Sequence, residues 1–298
     1  MKVFQTVLAL HEVAVASSPV DELGEDSAAW MATHLKDYSP ATEQVYLQAV
    51  AGFYKYLAAE RLAEINLPRL SLLIEQRSRR PGVRLPQFPA EDIERVLAFI
   101  SNPAELTSQS GAVQLRALRD RAFLLTLADT GLRVHEACKL RRGDVDWNEG
   151  RALVIGKGDA QAIVRFSTRA IRAIKDYLLA RSELDGGSGK PLTALPIFAR
   201  HDKGAGRKIK PITTATGRNI VAERVRQALG DRAEGRITPH SFRHYFVTTV
   251  LRASGNLKLA QALARHKNIQ VTQRYAHLSD DELDKGYHEI FEDRKGPG

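Results

Sequence analysis

Cysteine is almost absent from this chain of 298 residues, Cys138 being the only one. An internal disulfide and a Cys-rich zinc site are thereby excluded, which fits a reducing compartment. Long apolar runs are missing too. Residues 1–16 hold one lysine and a short apolar run broken by His11 and Glu12, so they read as a short helix and not a signal-peptide core. Nothing later is long and apolar enough to span a bilayer, and a soluble cytoplasmic, nucleoid-associated protein with no membrane partner is expected. No internal repeat is evident. Acidic residues are the minority, 35 against 44 Lys and Arg, giving a formal charge of +9. That excess favours polyanionic partners, because each cation facing a phosphate releases condensed counterion. Hydrophobic residues make up 43% of the chain, enough for real cores and against disorder as a default.

The length suits two domains. In the first, helices are expected over Ser27 to Asp37, from Ser39-Pro40 and from Leu67-Pro68. Ser as cap with Pro in the first turn suits such starts. Tyr46, Val50, Phe53 and Leu57 recur at helical spacing and mark one apolar stripe. Arg77, Arg79 and Arg80 lead into a Pro-rich break from Pro81 to Pro89 that reads as a linker. The predicted division is 1–24 as an N-terminal helical segment, 25–80 as a helical domain, and 81–298 as a larger mixed domain.

The larger region opens with helices whose stripes are Ile93, Val96, Leu97, Ile100 and then Leu115, Leu118, Ala122, Leu125. Gly131 signals a stop, and Leu132 to Leu140 reads as a short helix. Ala152 to Ile155 and Ala162 to Phe166 read as strands around the turn Gly156-Lys157-Gly158-Asp159, with Lys157 at its tip. Beyond a basic loop from Lys203 to Lys210, containing Arg207 and Lys208, the chain reads as helices to its end, the last from Asp280 to Phe291. The fold class is mostly α with a small antiparallel sheet.

Four short groups carry chemistry. In Thr238-Pro239-His240-Ser241-Phe242-Arg243-His244 the two histidines share a helix face at a spacing that a metal can use. The Glu of the metalloprotease pattern is absent, however, and Arg243 adds a fixed positive charge, so the cluster suits an anion and no metal is expected. Arg133 in Thr130-Gly131-Leu132-Arg133 stands three residues before Glu136, which can aim its fork at a phosphate. Lys157 on its turn can reach outward into a substrate. Finally, the stretch Leu263 to His277, with Arg265, His266, Lys267 and Tyr275, also describes a helix-turn-helix offering Gln270, Gln273 and Arg274 to base edges.

Two arginines, a lysine, histidines and a tyrosine can together attack a phosphodiester. A tyrosine hydroxyl needs alignment, proton removal and cationic donors around the building phosphate charge. These residues resemble the ordered signature of the tyrosine recombinase and integrase family: the Arg of Thr-Gly-Leu-Arg, a hairpin Lys, His-x-x-Arg, a His and a Tyr. The resemblance covers about Arg84 to Phe291, and more loosely the first region, which looks like the family's core-binding domain. It implies a C-shaped clamp on double-stranded DNA in which Arg133 and Arg243 hold the scissile phosphate and Lys157 protonates the departing 5′ oxygen. It further implies that His240 and His266 assist proton transfer, Glu136 supports, and Tyr275 forms a 3′-phosphotyrosine without cofactor. Subunits would assemble as a homotetramer on synapsed sites, with a second recombinase or accessory protein as further partners. Arg265 stands where the family usually has Gly. Arg265, Lys267, Arg207 and Lys208 are expected to contact DNA. The alternatives are a type IB topoisomerase-like relaxase with the same chemistry and a helix-turn-helix regulator that binds without cutting.

Overall fold

A computed structural model describes residues 2–79, 89–102, 111–156, 161–202, 208–233, 235–266 and 272. The chain divides into two compact units, residues 1–84 and 85–298.

The first unit is helical: α1 (Lys2–Leu10), α2 (Asp26–His34), α3 (Pro40–Ala59) and α4 (Leu67–Arg77). Helix α3 begins as the sequence predicts, with Ser39 Oγ accepting from Thr42 N–H at 3.1 Å and Pro40 in the first turn. Its buried face is Leu47, Val50, Tyr54 and Leu57, so the stripe is turned slightly from the one expected. Tyr46 and Phe53 are only partly buried at its flank. Phe4, Val7 and Leu8 of α1 complete the same core. Glu43 is fully buried and survives there because Lys36 and Arg79 both donate to it, at 3.1 and 2.6 Å. Arg79 therefore closes this unit.

In the second unit α5 (Ala90–Ser101) and α6 (Ala112–Thr130) precede the short α7 (Val134–Lys139). A three-stranded antiparallel sheet follows, β1 (Val145–Asp146), β2 (Arg151–Ile155) and β3 (Gln161–Arg165), in the order β1-β2-β3. Leu153 pairs with Ile163 on the exposed face, while Ala152, Val154 and Val164 point into the core. Strand β1 escapes a sequence reading because two residues cannot display an alternation. Then come α8 (Thr168–Ala180), α9 (Ser182–Gly186), α10 (Thr214–Leu229), α11 (Pro239–Ser254) and α12 (Leu257–Ala264). Helix α6 is the centre of the unit. It packs against α5, α8 and α11, so residues from Ala122 to Ala128 are buried all round and not along one stripe. Among the described residues no helix is long and apolar enough to cross a membrane.

Candidate active site

The site is built where four helix ends meet, those of α6 and α12 and the starts of α7 and α11. Helix α6 stops at Gly131, whose φ of +60° lies in the left-handed region. A Cβ there would stand 2.4 Å from Cδ1 of Phe246, so glycine is required both by conformation and by space. The turn places buried Leu132 in the core and Arg133 at the N-cap of α7. Glu136, one turn on, accepts from the Arg133 backbone N–H at 2.9 Å and from its Nη1 at 3.0 Å. The spacing of three seen in the sequence is thus a real ion pair, with Arg133 half exposed and Glu136 buried.

Helix α11 starts at the cap Thr238, whose N–H donates to Ser241 Oγ at 3.1 Å, with Pro239 in the first turn. His240, Arg243 and His244 follow on one face, and the two imidazoles meet edge to face at 4.2 Å between centroids. Arg243 is 4% exposed. Its Nη1 donates to the carbonyl of Gly131 at 2.5 Å and its Nη2 to the carbonyl of Ala264, the last residue of α12. One guanidinium thereby joins the ends of α6 and α12, and spare N–H groups remain for an anion.

After α12 the chain reaches Arg265, which adopts φ +57° and donates Nη2 to Glu136 Oε2 at 2.9 Å. Placed by the sequence reading on DNA, its guanidinium here lies against that carboxylate. His266 Nδ1 lies 2.8 Å from Oγ1 of Thr272, a fully buried residue that fixes the ring's orientation. Sequence reasoning missed Thr272, three residues before Tyr275. Lys208 is exposed. Lys157, Arg207, Lys267, Tyr275, most of the proposed recognition helix and the Asp280 to Phe291 helix lie outside the described residues.

Arg133, His240 and Arg243 line one cleft of about 480 Å³ together with Arg218 and Asn219 of α10. The sequence offered nothing to single out Arg218 among the arginines of α10. Around the cleft, cations keep their charge while imidazoles lose theirs. Burial, then Arg133 and Arg265, brings the Arg243 guanidinium down to about 10, still protonated at neutral pH. Burial, then Arg243 and Arg133, lowers His240. His244 and His266 fall to about 4, again chiefly by burial with neighbouring positive charge second. Glu136 stays ionised because its hydrogen bonds and arginine partners outweigh the burial that opposes ionisation. Fixed guanidiniums beside neutral imidazoles can bind a phosphate and still accept or donate a proton. Among the described residues no group of three or more His, Cys, Asp or Glu side chains is placed to hold a metal ion.

The depressed histidines have a consequence for stability. His201, His244 and His266 each titrate near 4 in the folded chain against about 6.5 unfolded. Between those values the unfolded chain takes up protons that the folded one refuses, so stability is full above pH 6.5 and falls as pH drops toward 4. The melting temperature, followed by thermal denaturation from pH 8 to 4 without DNA, is expected to decline through that window. A flat profile from 6.5 to 4 contradicts this account of the three imidazoles.

Comparison with known proteins adds to the geometry. The model of the phage integrase family matches residues 87–282. The tyrosine recombinase XerC of Pelobacter propionicus is 32% identical over 241 residues, covering 81% of this chain and 70% of that protein. XerC of Bacillus subtilis is likewise 32% identical over 253 residues, covering 85% and 75%. In fold, the chain is similar to the XerH site-specific recombinase bound to a palindromic difH substrate in a post-cleavage complex. The TM-score is 0.66 at 21% identity, over 96% of this chain and 78% of that one.

Proposed function

Because the chain belongs to the phage integrase family of tyrosine recombinases, we propose that it cuts and rejoins duplex DNA at specific sites through a 3′-phosphotyrosine. Tyr275 Oη attacks the scissile phosphorus, the P–O5′ bond breaks, and the 5′ oxygen leaves with a proton from Lys157. A 5′ hydroxyl then attacks the phosphotyrosine, reverses the bond change and releases Tyr275. The phosphodiester bond energy is conserved, so the cycle consumes neither nucleotide nor metal. Arg133 and Arg243 hold the non-bridging oxygens, neutral His240 and His266 hydrogen-bond and move protons, and Glu136 keeps Arg133 aimed.

The observation that carries this reading is convergence. Arg243 bonds the carbonyl of Gly131, 112 positions away, and so shares one cleft with Arg133 and His240. A helix-turn-helix regulator has no use for such a cluster, and the relatives named above are recombinases, not relaxases. We further infer that residues 25–80 form a core-binding DNA domain, that 81–298 form the catalytic domain, and that a homotetramer assembles on synapsed sites. A second recombinase or accessory protein, and a cytoplasmic, nucleoid-associated location, complete the proposal.

The test is a nicked duplex carrying the target site, on which cleavage releases a short strand and traps the intermediate. A covalent protein–DNA adduct is expected in the presence of EDTA, with the nucleotide mapping by mass spectrometry to the peptide containing Tyr275. Absence of any adduct on DNA that the protein demonstrably binds decides for a regulator.

A further inference from the structure

Arg265 occupies a backbone conformation that ordinarily belongs to glycine. It closes α12 at φ +57° and ψ +43°, where a Cβ is disfavoured. An arginine in that place is held by a specific contact. Nη2 donates to Oε2 of Glu136 at 2.9 Å, the oxygen that also accepts the Arg133 backbone N–H, while Oε1 takes Arg133 Nη1. The Glu136 and Arg265 side chains are 2% and 13% exposed. Solvent therefore screens this contact far less than a surface pair. The neighbouring peptide is engaged as well, since the Ala264 carbonyl accepts from Arg243, and His266 follows directly.

Resting on the strand-transfer reading above, we propose that Arg265 is a positioning residue for DNA cleavage. By pinning the Glu136 carboxylate it fixes the half-exposed guanidinium of Arg133, and it ties the segment bearing His266 to the start of α7. Without Arg265, Glu136 is held through Arg133 alone, by its backbone N–H and its Nη1. Arg265 adds a second anchor from the end of α12. With Nη2 on Glu136 and a side chain only 13% exposed, Arg265 acts on the phosphate through Arg133 and contributes little as a DNA ligand of its own.

The substitution Arg265→Gly separates these roles, because it deletes the side chain while giving the left-handed position its preferred residue, so the fold is retained. In single-turnover adduct formation at saturating nicked duplex, the rate is expected to fall about tenfold, as for other residues that orient a reacting group. The dissociation constant and its salt dependence stay as in the wild type. In a Glu136→Gln background the same substitution is expected to change the rate by less than about twofold, the mark of two residues acting as one unit. A salt slope reduced by about one, with the rate loss persisting in that background, makes Arg265 a phosphate ligand and overturns the proposal. An unchanged rate in a protein whose wild type forms the adduct also overturns it and leaves the recombinase reading intact. No adduct from the wild type on bound DNA removes both.

Discussion

Tyr275→Phe is expected to abolish the covalent protein–DNA adduct while leaving affinity for the site within about twofold of wild type. Phenylalanine keeps the ring and removes one oxygen, the atom that must form the new bond to phosphorus. Affinity comes mainly from Lys and Arg facing phosphates, and the substitution touches none of them. On the proposed mechanism the imidazoles of His240 and His266 are assigned to proton transfer, and the hydroxyl of Thr272 is buried against His266. A loss of at least about 10⁴ in the cleavage rate is the scale seen when a covalent nucleophile is deleted. The readout is a denaturing gel of the nicked duplex beside a mobility-shift titration. A surviving adduct moves the nucleophile to another tyrosine, Tyr287 being the next along the chain.

Arg243→Ala is expected to carry the second largest effect, and it acts on two quantities. On the proposed chemistry the guanidinium faces the phosphate charge that grows in the transition state, so deleting it is expected to cost about 10³ to 10⁵ in cleavage rate at saturating DNA, the range of arginines that stabilise phosphoryl transfer. It also leaves the Gly131 and Ala264 carbonyls without their donor. Each such loss costs about 1 to 3 kcal/mol of stability, so the melting temperature falls as well. Arg243→Lys keeps a charge but has no planar fork to span two carbonyls and a phosphate, and its rate is expected to lie between alanine and wild type. Binding should weaken only a few-fold, since the rest of the basic surface is intact. Equal losses in binding and cleavage would falsify a role concentrated in the transition state.

Local features were legible in the amino-acid order because their geometry is decided within one turn. Ser39-Pro40 opens a helix as its chemistry requires, and Arg133 and Glu136 pair because three residues is one helical step. The hairpin is legible in two short apolar runs around a Gly-bearing turn, and Gly131 in the need for a left-handed stop. The order of Thr-Gly-Leu-Arg, His-x-x-Arg and Tyr275 was enough to point to strand transfer. What lay beyond the sequence was where long side chains end. Arg181 looks like a surface arginine in a basic chain and Arg243 like a phosphate ligand, yet both are buried against backbone carbonyls that only the folded helices bring near. Arg265 reads as one more cation for DNA. Its left-handed backbone and the closeness of α7 to the end of α12 bring its Nη2 onto Glu136, a contact that spacing along the chain does not reveal. Sequence spacing decides which residues share a helix face. Which helix ends meet is decided by packing around α6, because burying that helix on every side leaves few arrangements of its neighbours.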